Sequence, residues 1–324
     1  MTLTATGTRG VPRRTHRPRS GLGARIVEHR WHYLFLVPML VLFVMFTLWP
    51  MVASWYYAFF DWDGVGEPQD FIGWDNFVET ATNPAFWHAF KNSFLFSLVA
   101  IVVQMPLSLV FAILLNNPRL KGRNVVRLLL FLPVVTTTAV IGIVFAIILD
   151  ASGGIANEFL ALFGSPSINF LGWESTALPT LMVIETWKSF GVTLIYWLAA
   201  LQTVPTDLYE AARTDGASGF QQLVHITVPM IVPIGVVILL LTFQSSLNPF
   251  DIVQATTRGG PNWATDVVST FIYRYAFDPG DAGLLGPRYG FACAAGVVFG
   301  VFTLLVTLLQ APFLRRRRIG GAAR

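Results

Sequence analysis

Charge is what this chain has least of. Asp, Glu, Lys and Arg make up 12% of its 324 residues, about half of the roughly 25% usual in soluble domains, which excludes an ordinary solvated surface. There is one cysteine, Cys293, so no intrachain disulfide can form. The five histidines are scattered. His29 and His32 have no carboxylate or thiol cluster nearby beyond Glu28, so no metal site is indicated. No G-x-x-x-x-G-K-[ST] occurs, and the chain therefore cannot cradle a nucleotide's phosphates in that way. What it has in abundance is apolar sequence: 54% of the residues are hydrophobic.

Several uncharged runs exceed the roughly 18 residues that mark a bilayer-spanning helix. The sequence predicts an all-α membrane protein with six spans, at 33–60, 94–115, 128–149, 177–201, 229–247 and 291–314. Basic residues set the orientation, because basic loops resist translocation. Of 22 Lys and Arg, 17 lie in segments 1–32, 116–127, 202–228 and 315–324, and three in 61–90, 150–176 and 248–290. Both termini are therefore expected in the cytoplasm. The net charge of +4 comes from arginines in "RRTHRPRS" and "RRRR" that flank spans, and it suits anionic lipid rather than nucleic acid. Residues 1–32 read as a basic, disordered tail, 33–314 as the transmembrane domain, and 315–324 as a second basic tail. The first apolar run is too long, and lacks a small-residue cleavage site, for a cleavable signal.

Between the fourth and fifth spans lies "EAARTDGASGFQQLVHITVP", residues 210–229, polar and ordered in its signals. Asp207 precedes Glu210 by three, a capping pattern, and Gly216 suits the left-handed position that ends a helix. A helix over 207–215, about 13 Å long, should turn at Gly216-Ala217 into a second helix running to Pro229. "SGFQ" reads as a capping box, Ser218 accepting the Gln221 N–H and Gln221 reaching back. Gly216–Gly219 also matches G-x-S-G, which intramembrane serine proteases use, with Ser218 as nucleophile and His225 as base; the loop position argues against that. Ala211 and Ala212 give the first helix a low-profile side. Either another protein approaches it closely, or the loop is a connector packed on its own bundle.

The same stretch resembles the EAA loop of permease subunits of bacterial ATP-binding-cassette importers. The family pattern is E-A-A, three residues, G, nine residues, I-x-L-P; here it reads Glu210-Ala211-Ala212, Gly216 and Ile226-Thr227-Val228-Pro229, with valine for leucine. "FIGWDNFVETATNPAFWHAFKNS", "LLFLPVV", "TRGGP" and "YRYAF" are similar to the carbohydrate-importer branch that includes the maltose permease. The resemblance implies the binding-protein-dependent importer permease fold. It also implies that Glu210, Ala211, Ala212, Arg213, Asp215 and Gly216 couple the loop (202–228) to a separate ATPase. ATP and Mg would sit on that partner, leaving this chain with no cofactor and no catalytic residue. The implied partners are a second, similar permease, two ATPase subunits, an extracytoplasmic solute-binding protein, a sugar substrate and membrane lipid, in the bacterial cytoplasmic membrane.

Inside the membrane the polar residues carry the information. In the fourth span Glu185 and Lys188 lie about 12 and 17 Å down the helix at 1.5 Å per residue, near the middle of a roughly 30 Å core. At i, i+3 they can neutralise each other. They are either an intrahelical pair facing protein or groups facing an aqueous path. Asn248-Pro249 should loosen the end of the fifth span, which is tolerated only against protein or a water-filled cavity. By resemblance to the maltose permease, Glu185, Lys188, Ser189, Thr242, Ser246, Asn248 and Thr138 fall at sugar-contacting positions, although Thr138 suits backbone-bonded packing equally well. Trp187 and Tyr196 could stack on a sugar or face lipid. The residue types differ from those of the maltose permease, and Lys188 leaves room for a polyol or glycerol phosphate. A secondary transporter would instead show inverted repeats and ionisable residues on several spans.

Overall fold

The computed structural model describes residues 30–118, 120–280, 283 and 285–315. Among them the fold is helical, with only an isolated bridge, Phe60 to Phe71, of β character. Contacts divide the chain into two units, one ending at Ala53 and one starting at Ser54, inside the first expected span. The described part of the first unit is the helix Arg30–Phe43, the π-turn Val44–Leu48 and the start of Trp49–Tyr57. Helix thus begins at Arg30, three residues inside the expected tail, whose remainder lies outside the described residues. Arg315 likewise ends the last helix, Tyr289–Arg315, and residues 316–324 lie outside the description.

Among the described residues four helices are long and apolar enough to cross a membrane: Leu34–Tyr57, Pro84–Asn116, Gly219–Thr256 and Tyr289–Gln310. A fifth candidate, expected as one span at 128–149, is bent by 101° between Arg123–Val135 and Thr138–Ile148. The cause is local. Thr136 and Thr137 are both extended, with ψ of 138° and 140°, and β-branched side chains favour that region. The fourth expected span, 177–201, coincides with Glu174–Leu201, a 28-residue helix of about 42 Å. It falls below the apolar standard because Glu185, Lys188, Ser189 and Thr193 lie within it. The second expected span starts ten residues earlier than hydropathy suggests: Asn83 Oδ1 accepts the Ala85 N–H at 2.9 Å and Pro84 opens the helix. An Asn cap followed by proline is a sequence-level start signal.

Three π-turns interrupt these helices, Val44–Leu48, Ala100–Gln104 and Leu223–Thr227, and each is followed at the second residue by a proline, Pro50, Pro106 or Pro229. Proline lacks an N–H, and its ring collides with the carbonyl four residues back. Here that carbonyl belongs to Phe46, Val102 or His225, the middle of each turn, and a wider turn moves it aside.

In the second unit, the Glu174–Leu201 helix is the hub. Leu194, Trp197, Leu198 and Leu201 pack with Ala112, Leu115, Ile231 and Ile238, and the Trp197 indole donates to Met105 O at 3.1 Å. Gly191 lets the Arg123–Val135 helix approach closely, since a Cβ there would lie 2.6 Å from Leu130 O. At one end of the unit a short helix, Asp75–Thr82, is fastened by Asn76 Nδ2, which donates to Ala58 O and Phe60 O at 3.0 and 2.9 Å. Glu79 there makes two hydrogen bonds with Arg288, at 2.6 and 2.7 Å.

Candidate functional site

Two places combine polar groups with a defined geometry: the loop between the fourth and fifth expected spans, and a cleft beside the Glu174–Leu201 helix.

The loop helix spans Thr206–Thr214, one residue earlier at each end than expected. Pro205 precedes it, so Asp207 does not cap; it lies in the first turn, where a negative charge favours the helix dipole. At the other end Gly216 has φ of +80°. The Gly216 N–H reaches Arg213 O at 3.1 Å and the Ala217 N–H reaches Ala212 O at 2.8 Å, so the last carbonyls are satisfied by a left-handed closure. Ser218 then starts the next helix with a capping box: its N–H donates to Gln221 Oε1 at 2.7 Å, and its hydroxyl accepts from the Gln221 N–H at 3.3 Å. His225 Nδ1 lies 3.1 Å from Gln221 O. The hydroxyl and the imidazole are thus both engaged with backbone, and they do not form a nucleophile–base pair. Glu210, Ala211, Arg213, Asp215 and Gly216 are exposed and Ala212 is half-buried, so the six coupling candidates form one short accessible segment. Tyr209 ties it to the bundle through Thr227 at 2.8 Å. The second helix does not stop at Pro229; it continues through the π-turn to Ser246, joining the loop rigidly to the fifth expected span.

The cleft is lined by Glu185, Ser189, Thr242 and Ser246, together with Gln104, Thr186 and Ser245. Lys188 Nζ is 3.9 Å from Glu185 Oε2, and Ser189 Oγ donates to Glu185 Oε1 at 2.6 Å. Ser246 Oγ turns back onto Thr242 O at 2.7 Å, while Thr242 Oγ1 is buried without a hydrogen-bond partner. The space left is ≈ 20 Å³, about that of one water molecule. This is a closed seam of polar groups, too small for a sugar ring. Asn248 and Thr138 are not part of it. Asn248 is exposed, at a break where one helix ends at Ser246 and a new one, Phe250–Thr256, starts after Pro249. Thr138 opens the second limb of the bent pair. Trp187 stands edge-on to Phe145, 5.5 Å between ring centres, and both Trp187 and Tyr196 are exposed.

Sequence reasoning missed Gln104. Its side-chain amide donates to Ser189 O at 3.2 Å and Thr193 Oγ1 at 2.7 Å, joining the second expected span to the polar face of the fourth. The signal was present: a lone amide inside an apolar run is costly unless it finds a partner.

Between "TRGGP" and "YRYAF", and including Arg274 of the latter, lies a further polar cluster. Arg274 Nη2 donates to Asp266 Oδ2 at 2.8 Å, its guanidinium stacks 3.6 Å over Trp263, and Thr270 Oγ1 donates to Asp266 Oδ1 at 2.6 Å. Asn92 reaches across to Ala264 O and Asp266 O at 3.0 and 2.8 Å. Burial raises the Asp266 carboxyl above its ordinary range, opposed by the Arg274 charge and by the two hydrogen bonds. The hydrogen bonds to Glu79 raise Arg288 further, against its partial burial. Among the described residues no group of three or more His, Cys, Asp or Glu could hold a metal ion.

Comparison with known proteins follows the same segments. A family model described as "Binding-protein-dependent transport system inner membrane component" matches residues 104–319. The "Probable ABC transporter permease protein YurN" of Bacillus subtilis is 33% identical over 286 residues, covering 87% of this chain and 95% of that protein. The "Trehalose/maltose transport system permease protein MalF" of Thermococcus litoralis is 31% identical over 292 residues, covering 90% and 96%. Among solved structures, a chain of a bacterial ABC transporter "involved in the import of the acidic polysaccharide alginate" superposes with a TM-score of 0.80 at 28% identity, covering 91% of this chain and 99% of that one.

Proposed function

The chain belongs to the family of inner membrane components of binding-protein-dependent transport systems, and from that premise we propose that it is one permease subunit of an ATP-driven importer for a sugar. The observation that carries the reading is the accessible segment Glu210–Gly216, closed by a left-handed glycine and continuous with a membrane-grade helix. A docked partner that pulls on such a segment pulls on the helix behind it, because Tyr209, just ahead of the segment, is tied to Thr227 across the Gly216 turn at 2.8 Å. The partner would be an ATPase that binds ATP and Mg, present twice beneath this subunit and a second, similar permease. A solute-binding protein would deliver substrate from outside; one of the solved relatives is described in complex with an alginate pentasaccharide-bound periplasmic protein. In this arrangement six helices cross the membrane with both termini in the cytoplasm, and the seam of Glu185, Ser189, Thr242 and Ser246 is the closed state of the path. The chain itself would perform no chemistry.

The printed names of relatives support a carbohydrate: trehalose/maltose for one and lactose for another. Lys188, whose Nζ is held only loosely by Glu185 at 3.9 Å, favours a second reading in which the substrate carries negative charge, as a polyol phosphate or an acidic sugar does.

The test is reconstitution. The subunit, its neighbouring permease, ATPase and binding protein are placed in proteoliposomes, and sugar uptake and ATP hydrolysis are followed together. Hydrolysis stimulated by loaded binding protein, and lost when this subunit is omitted, is the expected result. Uptake driven by an ion gradient with no ATPase present would sink the reading in favour of a secondary transporter.

A further inference from the structure

We propose that the groove between the Arg123–Val135 and Glu174–Leu201 helices is a seat for one anionic phospholipid. The two helices touch where Gly191 meets Leu130 and Phe131. Beyond that contact, towards Gln202, lies an open groove of ≈ 510 Å³. From Gly191 to Gln202 it runs roughly 16 Å at 1.5 Å per residue, about half of a 30 Å hydrocarbon core, the depth of one leaflet.

Its chemistry is graded along its length. Phe131, Leu194 and Leu198 form the apolar stretch, while Asn124, Arg127 and Gln202 gather at the far end. Segment 116–127, which enters that end, contains four basic residues and no Asp or Glu. Arg127 Nη2 donates to Leu115 O at 2.6 Å, which fixes the guanidinium, and its Nε is buried with no hydrogen-bond partner. Arg123 lies one turn earlier on the same face, and Lys121 is exposed just before it. The helix opens at Gly122 with no side-chain cap, so its first N–H groups add to the positive field there.

An apolar slot one leaflet deep, ending in a fixed guanidinium and further cations, matches an acyl chain with a phosphodiester head. Arginine is the side chain best shaped for phosphate oxygens, and basic pockets between membrane helices take anionic headgroups. A sugar has no counterpart for the apolar wall. A hydrophobic helix would cover the basic end without a carboxylate to answer it.

The experiment uses the whole transporter complex purified in mild detergent, supplied with phosphatidylglycerol or phosphatidylcholine, and weighed by native mass spectrometry. Phosphatidylglycerol should be retained over phosphatidylcholine. Arg123→Gln should weaken that retention about fivefold, the ratio corresponding to roughly 1 kcal/mol per basic residue near the membrane surface. Ala199→Phe, which fills the groove and leaves every charge in place, should weaken both lipids. A photoreactive residue at Ile195 should capture lipid. Equal retention of the two lipids, or retention unchanged in both variants, overturns the proposal, as does capture of the second permease subunit from Ile195.

Discussion

Two carboxylate–cation pairs in this molecule are built to opposite standards. Asp266 and Arg274 meet at 2.8 Å with side chains 2% and 8% exposed, and Thr270 and Trp263 hold the two partners from other directions. Glu185 and Lys188 stand 3.9 Å apart with side chains 17% and 19% exposed, beside a seam of hydroxyl groups. The first pair binds within its own loop, through Arg274 Nη2 and Thr270, and so fixes the loop's shape. In the second, the Lys188 ammonium meets Glu185 only at 3.9 Å, and the seam that Glu185 lines holds the buried, unpartnered Thr242 hydroxyl. Arg274 Nη1 is itself buried without a hydrogen-bond partner, so what makes the first pair a fastening is its close contact and its burial; a wider, more exposed pair beside other polar groups remains open to a ligand. The lesson is that the charge pattern alone does not say which is which, and distance and burial do.

The contrast can be broken most forcefully at Arg274. Replacing it by Met leaves Asp266 buried without its cation, which costs about 3–5 kcal/mol. The protein should fail to accumulate in the membrane or lose its thermal transition in detergent; near-normal melting would show that the pair is not a fastening. Glu185→Gln with Lys188→Met should behave differently. The double variant should melt like the wild type and still assemble with its ATPase, while uptake falls at least about tenfold, because a methionine and an amide do not reproduce the hydrogen bonds to a polar substrate. Recovery of uptake in the double variant after loss in each single would make this pair a fastening too. Gly216→Val sharpens the comparison by sparing both pairs. A Cβ there meets nothing within 4 Å, so the strain comes from φ of +80° alone, about 1–2 kcal/mol. Substrate binding should persist while ATP hydrolysis no longer drives uptake, as a transport assay paired with binding-protein docking would reveal. The smallest effect belongs to Glu79→Gln. Its partner Arg288 is bound bidentately, yet the side chains are 42% and 31% exposed, and such pairs contribute about 0.2–1 kcal/mol. A shift in melting larger than that, measured at moderate salt, would place this third pair with the first.

What could be read from the sequence follows the range of the interaction. The Ser218 box and the left-handed Gly216 depend on residues within three or four positions, and both are found as expected. Asp207 shows how local logic misleads: a proline one residue ahead of Thr206 moved the helix start and turned a cap into a first-turn charge. The break at Thr136-Thr137 was not legible, because hydropathy sums composition and is blind to two extended residues inside an apolar run. The cleft was half legible. Glu185 and Ser189 share a helix face, and Thr242 and Ser246 share another, whereas the meeting of those faces, and the arrival of Gln104 between them, depends on packing. Of the Asp266–Arg274–Trp263 cluster only Arg274 fell within a quoted motif, and nothing in the spacing states that Asp266 and Trp263, between the motifs, fold onto it.

The π-turns before Pro50, Pro106 and Pro229 have a consequence for how this chain has lengthened or shortened over time. A π-turn takes in one residue more than an α-turn, so it is a place where a helix can absorb a single inserted residue. Removing one residue there while keeping the proline would press its ring against the carbonyl behind it; losing the proline as well would leave an ordinary helix with both flanks in phase. Sterically, the proline and the extra residue are thus expected to go together. When relatives are aligned, a one-residue gap belongs inside the helix, at these three turns, wherever a relative lacks the proline, rather than in the neighbouring loops where length differences are usually placed.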